Sequence, residues 1–69
     1  MKTSTAIISI QELTPAALPV LKQAFEAVPG VQRVDFSLER SVAVVEFDLA
    51  TSNVDDLLRA ALRAGYKVL

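Results

Sequence analysis

The stretch VPGVQRVDFSLERSVAVVEFD, Val28 to Asp48, decides the fold. Pro29-Gly30 is a stop signal, because proline cannot extend a helix and glycine readily takes the left-handed conformation that closes one. After it, Val31 to Leu38 alternates, with Val34, Phe36 and Leu38 on one side and polar residues on the other. Period-two alternation is the mark of a half-buried strand. Glu39-Arg40-Ser41 forms a turn, and Val42 to Phe47 alternates again, with Ala43, Val45 and Phe47 on one side. Two such runs joined by a short polar link predict an antiparallel hairpin with one apolar face.

Working outward, Thr3 to Ile10 is a further strand whose Ala6, Ile8 and Ile10 share a face. Between it and the hairpin, Leu18, Leu21, Phe25 and Val28 recur at helical spacing. Thr14 and Pro15 have the N-cap and first-position chemistry of a helix start, yet Pro19 inside the next turn would forfeit a backbone hydrogen bond. The first turn is therefore irregular, or the regular helix begins nearer Pro19. Beyond the hairpin, Asn53 caps a second helix with Asp56 in its acidic first turn. Its expected buried stripe is Leu57, Leu58, Ala61 and Leu62, with Asp55 and Arg59 spaced to pair. Gly65 ends it, and Tyr66 to Leu69 reads as a short last strand.

Strand, helix, strand, strand, helix, strand is the order of the ferredoxin-like βαββαβ sandwich, an α+β fold. The expectation is a four-stranded antiparallel sheet with two helices on one face, filling residues 1–69 as a single domain.

Composition removes whole classes of function. There is no cysteine and no histidine, hence no disulfide, no thiolate, no imidazole ligand and no general base of ordinary pKa near neutrality. With only Ser and Thr as nucleophiles and nothing to activate them, the chain reads as non-catalytic. Net charge is -1 with acids and bases interspersed, so no basic face draws nucleic acid. RNA-binding sandwiches stack bases on sheet aromatics, whereas Phe36 and Phe47 fall on the core-facing set. No apolar run approaches the ~20 residues of a membrane span, and the N-terminus lacks a secretory pattern, which predicts a cytoplasmic protein without membrane insertion. Glu12, Glu46, Asp48, Asp55 and Asp56 do not converge as a hard-metal site requires.

With that order in hand, the segments Val28–Asp48 and DDLLRAALRAGY, Asp55 to Tyr66, resemble the heavy-metal-associated domain of copper chaperones and metal-pumping ATPases. Pro29-Gly30-Val31, the strand positions Val34, Phe36, Leu38, Ala43, Val45, Phe47 and Asp48, and Ala64-Gly65-Tyr66 carry the resemblance, without gaps from Val34 to Tyr66. The resemblance implies a Gly-Met-Thr-Cys-x-x-Cys metal loop between the first strand and first helix, where two thiolates clamp a soft ion. Here that loop is degenerate. Aligned from the strand, the cysteine positions are Pro15 and Leu18; aligned from the helix, where the loop is one residue shorter, they are Thr14 and Ala17. The glycine is replaced by Gln11 or Glu12. Leu18 is expected in the core, and Leu13 at the core's edge.

The reading that follows is a module that has lost metal binding, needs no cofactor, and acts through a protein partner or as a homo-oligomer. Contact would be made through the open sheet face or by pairing at a sheet edge, with Ile7, Val42 and Val44 as an apolar centre and Arg33 and Glu46 at the rim. Two alternatives stand beside it. One is a copper- or zinc-handling protein that uses ligands supplied by its partner. The other is a small-molecule regulatory domain, although Gly30 and Gly65 read as helix stops rather than as a ligand loop.

Overall fold

The computed structural model describes residues 2–69. Its elements are β1 (Thr3–Ser9), α1 (Ala17–Glu26), β2 (Val31–Ser37), β3 (Val42–Asp48) and α2 (Val54–Arg63). The strands form an antiparallel sheet in the order β1-β3-β2. Ile7 faces Val44 and Ala6 faces Val45 on one side of β3; Val34 faces Val45 and Asp35 faces Val44 on the other. The β2 register shifts between Val31 and Arg33, an irregularity near the edge strand's start.

One sheet face is covered. Ala6, Ile8, Ile10, Val34, Ala43, Val45 and Phe47 join Ala17, Leu21 and Phe25 of α1 and Leu57 and Ala61 of α2 in a single buried cluster. Both helices therefore pack on the same side of the sheet. The deepest large side chains are Phe25, Phe47, Ile10, Leu21, Leu57 and Val45. A chain this small needs such a layer, because it buries a modest share of the surface its unfolded form exposes.

Four expectations are corrected. The sheet has three strands, not four: Tyr66 to Leu69 contributes only an isolated bridge, Ile10 opposite Val68, too little pairing to make a strand. Second, α1 begins at Ala17, with no side-chain cap. The Thr14 carbonyl, not its hydroxyl, serves the helix start, accepting from the Ala17 N–H at 3.0 Å, and Pro15 sits in the turn ahead of the helix. Pro19 then falls in the first turn, where its missing N–H costs nothing. Third, Leu18 is half-buried and Ala17 takes the core position, so the stripe runs Ala17, Leu21, Phe25 at four-residue spacing. Fourth, Leu62 is 55% exposed while Leu57 and Ala61 are buried. Arg33–Asp35 is the ion pair among the described residues; Asp55 and Arg59 do not form one.

The start of α2 is built as its residues dictate. The Asn53 side chain accepts from the Asp56 N–H at 3.0 Å, and the Asp56 carboxylate accepts from the Asn53 N–H at 3.1 Å. This reciprocal capping box satisfies two of the donors left over at a helix start. Just ahead of that cap, Gly30 sits at φ 88° and tight against Thr51. The buried Ser52 hydroxyl donates to the Pro29 carbonyl beside it.

Candidate functional site

The loop from Gln11 to Ala16 emerges where three parts of the chain are tied together. Ile10 is fully buried, and its N–H donates to the Ser41 carbonyl at 2.9 Å. The Ser41 hydroxyl returns a bond to the Ile10 carbonyl at 2.5 Å. One residue on, the Gln11 N–H donates to the Lys67 carbonyl at 2.9 Å. The exit of β1, the entry of β3 and the tail after α2 thus hold one another in place. The loop starts from a fixed point.

From there Glu12 takes φ 58°, in the left-handed region that costs an L-residue about 1–2 kcal/mol. This conformation suits glycine, the residue that the resemblance places at Gln11 or Glu12. Leu13 is half-buried and packs on the core, as does Tyr66. Gln11, Glu12, Gly65, Tyr66 and Lys67 line a shallow cavity of about 330 Å³ beside the loop. A larger concavity of about 590 Å³ lies elsewhere, between the helices, with Ala24, Ala27 and Ala60 in its wall and Arg59 and Arg63 along it.

The donor set at the loop is oxygen and amide only. Thr14 and Pro15 are exposed, Ala17 is sealed in the core, and Leu18 offers hydrocarbon. Among the described residues no group of three or more His, Cys, Asp or Glu side chains converges to hold a metal ion. Soft ions prefer thiolate, and the residues present do not fit one. The two ways of placing the lost cysteines receive different support from the geometry. The buried stripe that begins at Ala17 agrees with the Thr14 and Ala17 placement, and the left-handed Glu12 agrees with Pro15 and Leu18.

The open sheet face carries the other predicted residues. Ile7 is 70% exposed and lies directly across from Val44, with both next to half-buried Val42. Glu46 stands opposite both Thr5 and Arg33 in register. Arg33, however, turns along its own strand, its Nε 2.8 Å from an Asp35 carboxylate oxygen. The feature that sequence reasoning missed is the left-handed Glu12. The signal was the missing glycine at a position where the chain still has to turn.

This fold, with a fixed loop between first strand and first helix, is that of the heavy-metal-associated domain. The CopZ metallochaperone superposes with a TM-score of 0.90 over 96% of this chain and 100% of that one, at 22% identity, which establishes the fold. The oxidised MerP of Ralstonia metallidurans CH34 superposes at 0.87 over 99% of this chain and 96% of its own, at 38% identity. The mercuric transport protein periplasmic component of Salmonella typhi is 40% identical over 65 residues, 93% of this chain and 71% of the relative. No family model matches. The chain belongs to the family of mercuric transport periplasmic components, as a member without the Cys-x-x-Cys pair.

Two expectations fall here. A module that has lost metal binding and acts only through protein contacts or self-association is contradicted by relatives named for mercuric transport. The missing sulfur pointed the wrong way because donor loss in one chain is compatible with donors provided by another. A cytoplasmic location is likewise contradicted, since the same relatives are named as periplasmic components. The relatives' names describe transport and not an enzyme. Among the described residues no helix is long and apolar enough to cross a membrane.

Proposed function

We propose that the chain is a non-catalytic metal-handling protein of the periplasm, in which thiolates of a partner protein hold the ion and this chain supplies the docking scaffold. The observation that carries this reading is 40% identity to a mercuric transport protein over 93% of the chain, combined with a loop whose own donors do not suit a soft ion. The loop end would meet the loaded partner. Its backbone is fixed by the Ile10–Ser41 and Gln11–Lys67 bonds, so little ordering is left to offset on binding. The neighbouring open face adds contact area, with Ile7, Val42 and Val44 as its apolar part and Arg33 and Glu46 placing charges at the margin.

The test uses a short peptide with a Cys-x-x-Cys pair, loaded with one mercuric ion, titrated into the isotopically labelled chain. Amide shifts confined to Gln11–Leu18 and Tyr66–Lys67, seen with the loaded peptide and not with the peptide alone, are expected. Two results overturn the reading: tight uptake of mercuric ion by the chain alone, or a loop that ignores the loaded peptide.

A further inference from the structure

The helical layer is open along one seam. α1 and α2 lie on the same side of the sheet, and between them runs the concavity of about 590 Å³. Its α1 wall carries Ala24 and Ala27, and its α2 wall carries Ala60 and Ala64. Alanine reaches one carbon from the backbone, so the two walls leave the seam unfilled. No part of the wall comes from the Gln11–Ala16 loop or from the open sheet face.

The polar groups of this groove divide into two sets. Those near the start of α2 are already engaged. The Ser52 hydroxyl donates to the Pro29 carbonyl, the Thr51 hydroxyl donates to an Asp48 carboxylate oxygen at 3.3 Å, and the Asp56 carboxylate accepts from the Asn53 N–H. Further along α2, Arg59 and Arg63 are exposed, and among the described residues neither side chain has an ion pair or a hydrogen bond. Four residues apart, they share one face of the helix, about 6 Å apart along its axis. Net charge is -1, so two adjacent free cations are a local feature and not a general property of the surface.

We propose that this groove receives an acidic amphipathic helix of a partner protein, with small apolar side chains turned into the seam and two carboxylates one turn apart meeting Arg59 and Arg63. The chemistry favours a helix over a small anion. A small anion needs donors converging around it, and the free donors here are two exposed guanidiniums on one side. The rest of the wall is hydrocarbon or already bonded. A helix matches both parts. Small residues let a third helix approach two others closely, and alanine walls lose no rotamer freedom when covered. The wall from Asp56 to Ala64 spans about 12 Å, roughly two helical turns. The same two cations repel a basic helix, so the groove selects by sign. A second copy of this chain does not supply the pattern: at that spacing α1 sets Lys22 with Glu26 and α2 sets Asp55 with Arg59, a cation in each. The groove shares no residue with the loop or the open face, so the proposal does not depend on the metal-handling reading.

The probe is a synthetic alanine-rich helical peptide of about 18 residues, with two glutamates four apart beside its alanine stripe, titrated into the isotopically labelled full chain. Versions with glutamine and with lysine in place of the glutamates are the controls. The expected result is methyl shifts at Ala24, Ala27, Ala60 and Ala64 with the glutamate peptide, binding about tenfold weaker or more with the glutamine peptide, and none with the lysine peptide. Arg59→Gln combined with Arg63→Gln changes two exposed positions and should weaken binding about tenfold or more. Arg33→Gln, outside the groove, should leave it unchanged, and salt at about 0.5 M should weaken it severalfold. The proposal is overturned by a chain that ignores the glutamate peptide, by equal binding of the glutamate and glutamine peptides, by a double variant that binds like the native chain, or by shifts that fall at Ile7 and Val44. Succinate or inorganic phosphate moving the same methyls at the same concentrations would assign the groove to a small anion and overturn it equally.

Discussion

Gly30→Ala measures how tightly the turn after the first helix is joined to the loop before the second. Gly30 sits at φ 88°, a conformation costing an alanine about 1–2 kcal/mol. A Cβ built there would come 2.9 Å from the Thr51 Cβ and 3.2 Å from its Cγ2, so the backbone carrying Thr51 has to give way. That backbone leads directly to Ser52, whose buried hydroxyl donates to the Pro29 carbonyl; losing that bond costs about 1 kcal/mol more. The sum is about 2–3 kcal/mol, against a total stability of about 3–10 kcal/mol for a chain of this length. Gly65→Ala is the control. Its φ is 93°, but a Cβ there meets nothing within 4 Å, so only the conformational cost of about 1–2 kcal/mol applies. Urea titration of both variants separates the two contributions, and the melting temperature should fall by about 10–20 °C for Gly30→Ala. Equal losses in the two variants would refute the claim that the close approach of Gly30 to the Thr51 loop matters.

Other substitutions probe separate joints of the fold. Asn53→Ala breaks the reciprocal cap and should cost about 1 kcal/mol in urea titration, with Asp56→Ala partly non-additive to it because both act through one motif. Phe25→Ala empties a fully buried position between α1 and the sheet and should cost about 3–5 kcal/mol, enough to unfold much of the population by near-ultraviolet dichroism or one-dimensional NMR. Arg33→Ala removes a pair whose side chains are 67% and 54% exposed; its effect on the midpoint should stay within about 0.5 kcal/mol and shrink further in salt.

The elements legible in the sequence were those with two signals in agreement. The hairpin had alternation on both sides of a polar turn, and α2 had an Asn–Asp cap in front of an apolar stripe. The start of α1 had conflicting signals. Thr14-Pro15 looks like a cap and first position, yet Pro19 fits without strain only if regular helix begins at Ala17 or later. Leu62 belongs to a leucine-rich run, but a ten-residue helix on a small sheet buries only one narrow stripe, and Leu57 and Ala61 occupy it. The last strand failed because apolar residues such as Val68 and Tyr66 pack on the core whether or not a ladder forms. The absence of soft donors could be read residue by residue. The association with metal transport could not, because it is carried by similarity spread over the whole chain and not by any side chain at the loop.

The most direct test of the central claim, that the family's scaffold is kept while its sulfur is lacking, is to give the sulfur back. Cysteine pairs are introduced as Thr14→Cys with Ala17→Cys, and separately as Pro15→Cys with Leu18→Cys, and each reduced protein is titrated with mercuric ion alone while the ultraviolet thiolate-to-metal band is followed. The account predicts no band in the native chain and a band saturating at one ion per chain in one of the two folded variants. Tight mercuric binding by the native chain, or two folded variants that both fail to bind, would contradict it.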